Sequence, residues 1–143
     1  MSKHTILWAD DDADDLQMMQ EVMHKTGRDY QVIEVHNGRE ALEYLKQAKK
    51  SSEFPCLIIL DINMPILDGK ETLSIIKNTK EYEKIPVVVF TTSESELDKL
   101  YCKRLNTEMV TKPPTFSTLS AALERLLNFC KKLSLYPLFT PVN

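Results

Sequence analysis

The chain has 143 residues, 43% of them hydrophobic and 27% charged, and a net charge of -3. This length and apolar content suit one compact domain, while the scattering of lysines and arginines among the acids predicts no nucleic-acid binding. No apolar run approaches the roughly 18 residues of a membrane span, and the N-terminus lacks a signal-peptide pattern, so we expect no membrane association and a cytoplasmic location.

Short apolar segments alternate with longer amphipathic ones along the chain. Strands are predicted at residues 5–9, 30–35, 56–60, 85–90 and 108–111. The helices are marked by residues at helical spacing: Leu16, Met19, Gln20 and Met23; Ala41, Leu42 and Leu45; Leu73, Ile76 and Lys77; Leu97, Leu100 and Tyr101; Leu119, Leu123, Leu126 and Leu127. Five strands alternating with five helices predict an α/β fold, a doubly wound three-layer sandwich with helices on both faces of a parallel sheet.

The segment after the fifth helix, residues 131–143, retains five apolar side chains and contains Pro137 and Pro141. The prolines predict that no regular helix continues there. We expect either a tail that packs loosely on its own domain or a docking segment for a partner, including a second copy in a homodimer. Residues 1–130 are then the domain, and we expect no output domain after it.

The cysteines Cys56, Cys102 and Cys130 are odd in number, far apart in sequence and form no CxxC pair. We interpret them as buried or incidental thiols, with a redox or metal role as the less favoured alternative. The three histidines show no metal-ligand spacing with one another or with the cysteines.

Polar side chains follow four of the predicted strands. Asp10 and Asp11 follow the first strand, Asp61 the third, Thr91 the fourth and Lys112 the fifth. In an open parallel sheet the carboxyl ends of the strands form the ligand site, so these residues should converge. Clustered carboxylates need a cation, and an all-oxygen set favours Mg2+ or Mn2+, which in turn favours a phosphoryl ligand. Asp61 could attack phosphorus, Thr91 could donate its hydroxyl and Lys112 could pair with a phosphoryl oxygen.

Four motifs at these strand ends carry a family resemblance. They are "ADDD" after the first strand, "LIILDINMPILDG" at Leu57 to Gly69, "VVVFTTS" at Val87 to Ser93 and "VTKPP" at Val110 to Pro114. Together they resemble the receiver domain of two-component response regulators, the CheY-like family, over roughly residues 4 to 130. The resemblance implies a flavodoxin-like fold with strand order 2-1-3-4-5.

The resemblance also implies roles for single residues. Asp61 would accept a phosphoryl group from a histidine kinase or histidine phosphotransfer protein, with Thr91 as switch hydroxyl and Lys112 contacting the phosphoryl group. Mg2+ would bind Asp11, Asp61 and the main-chain carbonyl of Asn63 directly, and Asp10 mainly through water. Such a domain catalyses its own phosphorylation and dephosphorylation and is not an enzyme acting on a separate substrate.

Two further loop residues fit the family pattern. Pro113 would follow a cis peptide bond, and Gly69 would supply a backbone geometry that a side chain strains.

One position departs from the family pattern. Receiver domains usually carry Tyr or Phe three residues before the lysine, and this chain has Met109. Methionine cannot closely reproduce the rotamer switch of an aromatic side chain. We therefore expect the phosphorylation chemistry to be kept and the route of the signal to the surface to differ from that of the family. We expect output to a downstream protein through a surface of the fourth helix, fifth strand and fifth helix, around Leu100, Lys103, Met109 and Phe116.

Three other functions deserve comparison. A calcium loop matches Asp10, Asp12, Asp14 and Glu21, but Asp15 stands where that loop needs glycine and the preceding segment is strand-like. A Mg2+-dependent phosphatase would need a second carboxylate two residues after Asp61, where Asn63 stands. A receiver-like binding module that signals without phosphorylation is the third alternative.

Overall fold

The computed structural model describes residues 4–26 and 30–139, in which five strands alternate with five helices. The strands are β1 His4–Ala9, β2 Tyr30–Val35, β3 Leu57–Leu60, β4 Val87–Thr91 and β5 Glu108–Thr111. The helices are α1 Ala13–Thr26, α2 Gly38–Ser51, α3 Gly69–Asn78, α4 Glu96–Arg104 and α5 Phe116–Phe139. The predicted strands agree with these bounds to within two residues.

The five strands form one parallel sheet in the order β2-β1-β3-β4-β5, which confirms the predicted fold class and strand order. Successive side chains of a strand point to opposite faces of the sheet, so each buried strand contributes side chains to the hydrophobic cores on both faces. Ile6 and Trp8 of β1 join the core beneath α1 and α5, whereas Leu7 and Ala9 join the core on the other face. β3 and β4 are buried throughout, as their nearly unbroken apolar sequences predict.

Side-chain caps set the helix starts. The side chain of Asn37 accepts from the N–H of Glu40 at α2, and the side chain of Asp68 accepts from the N–H of Glu71 at α3. The apolar spacing in α4 does not mark a buried face, because Leu97 is 75% exposed and Leu100 44% exposed. The buried residue of α4 is Cys102.

Helix α5 is longer than predicted. Its backbone stays helical to Phe139, so the prediction that Pro137 prevents a helix after residue 130 is wrong. Proline removes one helical hydrogen bond, to the carbonyl four residues earlier, and here only two helical residues follow it. Residues 140–143, including Pro141, lie outside the described residues. No helix in the described ranges combines the length and hydropathy needed to cross a bilayer.

The interpretation of the cysteines as buried or incidental thiols is wrong for two of the three. Cys56 and Cys130 form a disulfide with a Cα–Cα distance of 5.2 Å, and Cys102 is a buried free thiol. The two bonded residues are 74 positions apart in sequence. Because only the packing of α5 against the sheet brings them together, no local spacing indicates the pair.

Candidate functional site

Asp10, Asp61 and Lys112 each lie one residue beyond a strand, where backbone hydrogen bonds continue the sheet, and Thr91 is the last residue of β4. The N–H of Asp10 donates to the carbonyl of Val35 at 3.0 Å, and that of Asp61 donates to the carbonyl of Ala9 at 2.9 Å. The N–H of Lys112 donates to the carbonyl of Thr91 at 2.7 Å. Four strand ends are thereby fixed along one edge of the sheet, as the sequence predicts.

Three carboxylates meet at this edge. Oxygens of Asp10, Asp11 and Asp61 all lie within 4.8 Å of one another. Asp10 is completely buried and Asp61 is 8% exposed, whereas Asp11 faces solvent. A set of oxygen donors with one side open to water fits Mg2+ or Mn2+, which keep some of their water ligands.

Lys112 is the cation that the fold supplies to this cluster. Its Nζ lies 2.7 Å from Oδ2 of Asp10, 3.2 Å from Oδ2 of Asp61 and 2.6 Å from Oδ2 of Asp15. The sequence predicts that Lys112 lies near Asp10 and Asp61, but it does not predict the contact with Asp15. Asp14 and Asp15 look alike as acids of the first helical turn, and only the placement of α1 shows which of them reaches Lys112.

The acidic run after β1 thus serves the site and the helix. Oδ1 of Asp12 accepts from the N–H groups of Asp14 at 3.0 Å and Asp15 at 3.3 Å, so Asp12 caps the start of α1. Asp10 is held by the N–H of Asp12 at 2.9 Å and by the indole N–H of Trp8 at 3.3 Å. The contact from Trp8 is absent from the sequence prediction, because the apolar pattern of β1 does not show which way the Asp10 carboxylate turns.

In the ion pair between Asp10 and Lys112, burial and the charge of the partner shift the pKa of each residue in opposite directions. Burial raises the pKa of Asp10 from 3.8 to about 6, against the lowering effect of its hydrogen bond and charge pairing with Lys112. Burial alone would lower the pKa of Lys112, but bonds to Asp10 and Asp15 and the charges of Asp10 and Asp61 raise it above its usual value. The outcomes differ because Lys112 faces three carboxylates and Asp10 a single ammonium. Lys112 therefore stays protonated, and Asp10 retains charge less readily.

The Asp61 carboxylate is oriented from two sides. Oδ1 accepts from the N–H of Ile62 at 2.7 Å, and Oδ2 accepts from Lys112. Gly69 packs beneath it, and a Cβ on Gly69 would lie 2.0 Å from the carbonyl oxygen of Asp61. The close approach of Gly69 to the Asp61 backbone therefore explains why this position is glycine. The left-handed backbone conformation in this loop is instead found at Ile66, with φ 69°.

Thr91 lies beside the cluster but is not bonded to Asp61. Its buried hydroxyl accepts from the N–H of Ser93 at 3.2 Å. The Ser93 hydroxyl donates to Asp98 of α4 at 2.6 Å, and Asp98 pairs with Lys70 of α3 at 2.9 Å. The bonds from Ser93 and Lys70 lower the pKa of Asp98. The sequence prediction gives Ser93 no role of its own and does not contain this chain of contacts.

Three other predicted positions have different outcomes. Asn63 is exposed two residues after Asp61, and its role as a metal ligand stays a prediction. The bond between Lys112 and Pro113 is trans, so the expected cis bond is wrong; trans is the more stable isomer by about 0.5–1 kcal/mol even before proline. Met109 is half-buried against the core on the α2, α3 and α4 side. The side chain of Phe116 lies outside the described part of the chain.

Comparison with known proteins agrees with this geometry. Residues 6–124 match the family model of the response regulator receiver domain. Response regulator Rcp1 of Synechocystis is 39% identical over 95 residues, 65% of this chain and 65% of Rcp1. PilH of Pseudomonas aeruginosa is 29% identical over 123 residues, 85% of this chain and 96% of PilH. The alignments with Rcp1 and with the methanogenesis regulator FilR2 of Methanothrix harundinacea span slightly less than two thirds of those proteins, 65% and 63%.

Solved structures show the same relation. The phosphorylated cyanobacterial phytochrome response regulator RcpA superposes with a TM-score of 0.84 at 31% identity, covering 91% of this chain and 95% of RcpA. The Mn2+-bound form of Rcp1 superposes with a TM-score of 0.81 at 33% identity, covering 90% and 94%. Strand order, acidic edge and sequence match agree, and the chain belongs to the response regulator receiver family.

Proposed function

We propose that Asp61 accepts a phosphoryl group from a phosphorylated histidine of a kinase or phosphotransfer protein. The supporting observation is its carboxylate, which is 8% exposed, lies 3.2 Å from Lys112 and is within 4.8 Å of oxygens of Asp10 and Asp11. An Asp61 oxygen bonds to phosphorus while the phosphorus–nitrogen bond breaks, and the histidine nitrogen leaves with the electron pair. Water later attacks phosphorus and releases inorganic phosphate, which regenerates Asp61.

The carboxylate cluster is proposed to hold Mg2+, with Mn2+ as an alternative. Asp11, Asp61 and the Asn63 carbonyl would bind the ion directly and Asp10 through water. When bound, the ion offsets the clustered negative charge and that of the phosphoryl oxygens. Lys112 remains protonated within reach of Asp61, so it can pair with a phosphoryl oxygen that forms there.

Thr91 connects this chemistry to the protein surface in our proposal. We propose that the Thr91 hydroxyl turns from the N–H of Ser93 toward a phosphoryl group on Asp61. That change loosens the contacts of Ser93 with Asp98 and alters how α4 is held. The output surface is then α4, β5 and α5, where Leu100 is exposed and Met109 half-buried, and its target is a downstream protein. A homodimer contact through residues 131–143 stays a prediction.

Intact-mass spectrometry tests the phosphoacceptor. Incubation with Mg2+ and acetyl phosphate should add one phosphoryl group to the wild-type chain and none to Asp61→Asn. Asp68→Asn is a matched control, because Asp68 lies in the same loop and asparagine can replace it as the α3 cap. It should react like the wild type. A wild-type chain that gains no mass would instead favour a binding module that signals without phosphorylation.

A further inference from the structure

The Cys56–Cys130 disulfide lies at the edge of the sheet opposite the carboxylate cluster. Cys56 directly precedes β3, and its N–H donates to the carbonyl of Thr5 at 2.8 Å. Along β1, His4 at this edge is separated from Asp10 by about 20 Å, at roughly 3.3 Å per residue. The two sulfurs therefore belong to a site of their own, which Asp61 chemistry does not touch.

The two cysteines differ in access. Cys130 is completely buried in the core that α1 and α5 form with the sheet. Cys56 is half-buried and packs against that core. Thiol exchange needs a sulfur that the reagent can reach, so an external reagent meets Cys56 first and Cys130 acts second.

We propose that Cys56 and Cys130 form a redox modification site that exchanges with small-molecule disulfides of the glutathione type. The Cys56 thiolate attacks one sulfur of the small disulfide, forms a mixed disulfide and releases one small thiol. The Cys130 thiolate then attacks the Cys56 sulfur and releases the second small thiol. The two cysteine sulfurs are oxidised by two electrons, the small disulfide is reduced by two, and both cysteine protons end on the released thiols.

Oxidation fastens α5 to the start of β3. The bond adds a covalent link to the apolar packing of α5 residues such as Leu123, Leu126 and Leu127. Disulfides of cytosolic proteins from mesophiles are usually transient and often redox-sensing, and the location predicted for this chain is cytoplasmic. The site thus adjusts α5 separately from phosphorylation, and it does not rest on the proposed role of Asp61.

A metal centre is the competing occupant of this site. Ligand atoms of His4, Cys56 and Cys130 all lie within 4.8 Å of one another, and two thiolates with an imidazole are a donor set for zinc. The structure has the sulfurs bonded to each other, and bonded sulfurs cannot both act as thiolate ligands. The two assignments therefore predict different behaviour of the reduced protein.

Peptide mapping without reductant tests the redox assignment. The full chain is reduced, freed of reductant and treated with glutathione disulfide. We expect one link within the chain, between the peptides that contain Cys56 and Cys130. Cys130→Ser should accumulate glutathione on Cys56, whereas Cys56→Ser should leave Cys130 free. Cys102→Ser is the matched control and should form the same link as the wild type, because Cys102 lies in the core on the other face.

Hydrogen exchange tests the effect on α5. Residues 119–130 should exchange more slowly in the oxidised than in the reduced chain, and equal rates would overturn the fastening of α5. Free thiols at both positions after excess glutathione disulfide, or links only through Cys102 or between chains, would overturn the site itself. The redox site would also be overturned if the reduced chain bound one equivalent of Zn2+, if this ion blocked the disulfide link, and if His4→Gln no longer bound it. In our assignment, His4→Gln forms the link normally.

Discussion

Burial favours the neutral form of the Asp10 carboxyl, whereas the contact with Lys112 favours its charged form. Asp10 is completely buried, and burial raises its pKa to about 6. Lys112 compensates only in part, because it also serves Asp15 and Asp61. A bound divalent cation would supply the missing positive charge. Metal binding and proton binding at Asp10 therefore compete.

This competition predicts how stability depends on pH without metal. The pKa of Asp10 in the folded state, about 6, lies above its ordinary 3.8, so the folded state binds more protons between those values. The free energy of unfolding should then increase by about 1 kcal/mol from about pH 7 to about pH 5. Urea denaturation in a chelator measures it. Asp10→Asn should lack this pH-dependent increase in the free energy of unfolding, and the control Asp14→Asn should keep it. If the wild type and both variants showed the same pH dependence, Asp10 would not be its source.

The same group predicts how metal affinity depends on pH. Trp8, the single tryptophan of the chain, donates to Asp10, so its fluorescence should report Mg2+ binding. As pH falls from about 7.5 to about 5.5, protonation of Asp10 should weaken the apparent affinity about fourfold. Fluorescence titrations with MgCl2 at the two pH values measure it. Equal affinities would show that the charge of Asp10 does not contribute to binding.

At the scale of elements, the loop between β4 and α4 joins the site to two helices. Ser93 contacts Thr91 through its N–H and Asp98 through its hydroxyl, and Asp98 pairs with Lys70 of α3. Tyr101 of α4 adds a bond from its hydroxyl to the carbonyl of Lys70 at 2.8 Å. These polar contacts connect Thr91 to α4 without involving Met109. Under the proposed function, they offer a route for the signal that does not need the aromatic residue usual in the family.

Removing the Ser93 hydroxyl tests this connection. Ser93→Ala should raise the pKa of Asp98 toward its ordinary value, because the bond from Ser93 is the largest cause of its lowering. Loss of the bond should also cost about 1 kcal/mol of stability. An NMR titration of the Asp98 carboxyl and urea denaturation measure the two effects. Ser117→Ala, on the exposed start of α5, should change neither; an unshifted Asp98 in Ser93→Ala would contradict the connection.

At the scale of the whole molecule, the sequence predicts what depends on pattern and misses what depends on distant contacts. Unbroken apolar segments predict the buried β3 and β4, and strand ends of a parallel sheet must share an edge, which predicts the meeting of Asp10, Asp61 and Lys112. The Cys56–Cys130 bond needs the final position of α5, since 74 residues separate its partners.

The remaining differences have local causes that pattern does not resolve. Asp15 reaches Lys112 because of the direction in which α1 leaves the sheet. The spacing of Leu97 and Leu100 resembles a buried face, yet both side chains face solvent beside a single buried Cys102. Helical spacing shows which residues share a face, but the neighbouring elements decide whether that face is covered.

Mapping the modified residue after reaction with acetyl phosphate tests the central claim most directly, because three carboxylates share the site. Peptide mass spectrometry should place one phosphoryl group on Asp61, with Asp10 and Asp11 unmodified, and a chelator should abolish the modification. A phosphoryl group on Asp10, on Asp11 or outside the cluster, or one that forms equally well in Asp61→Asn, would contradict the account.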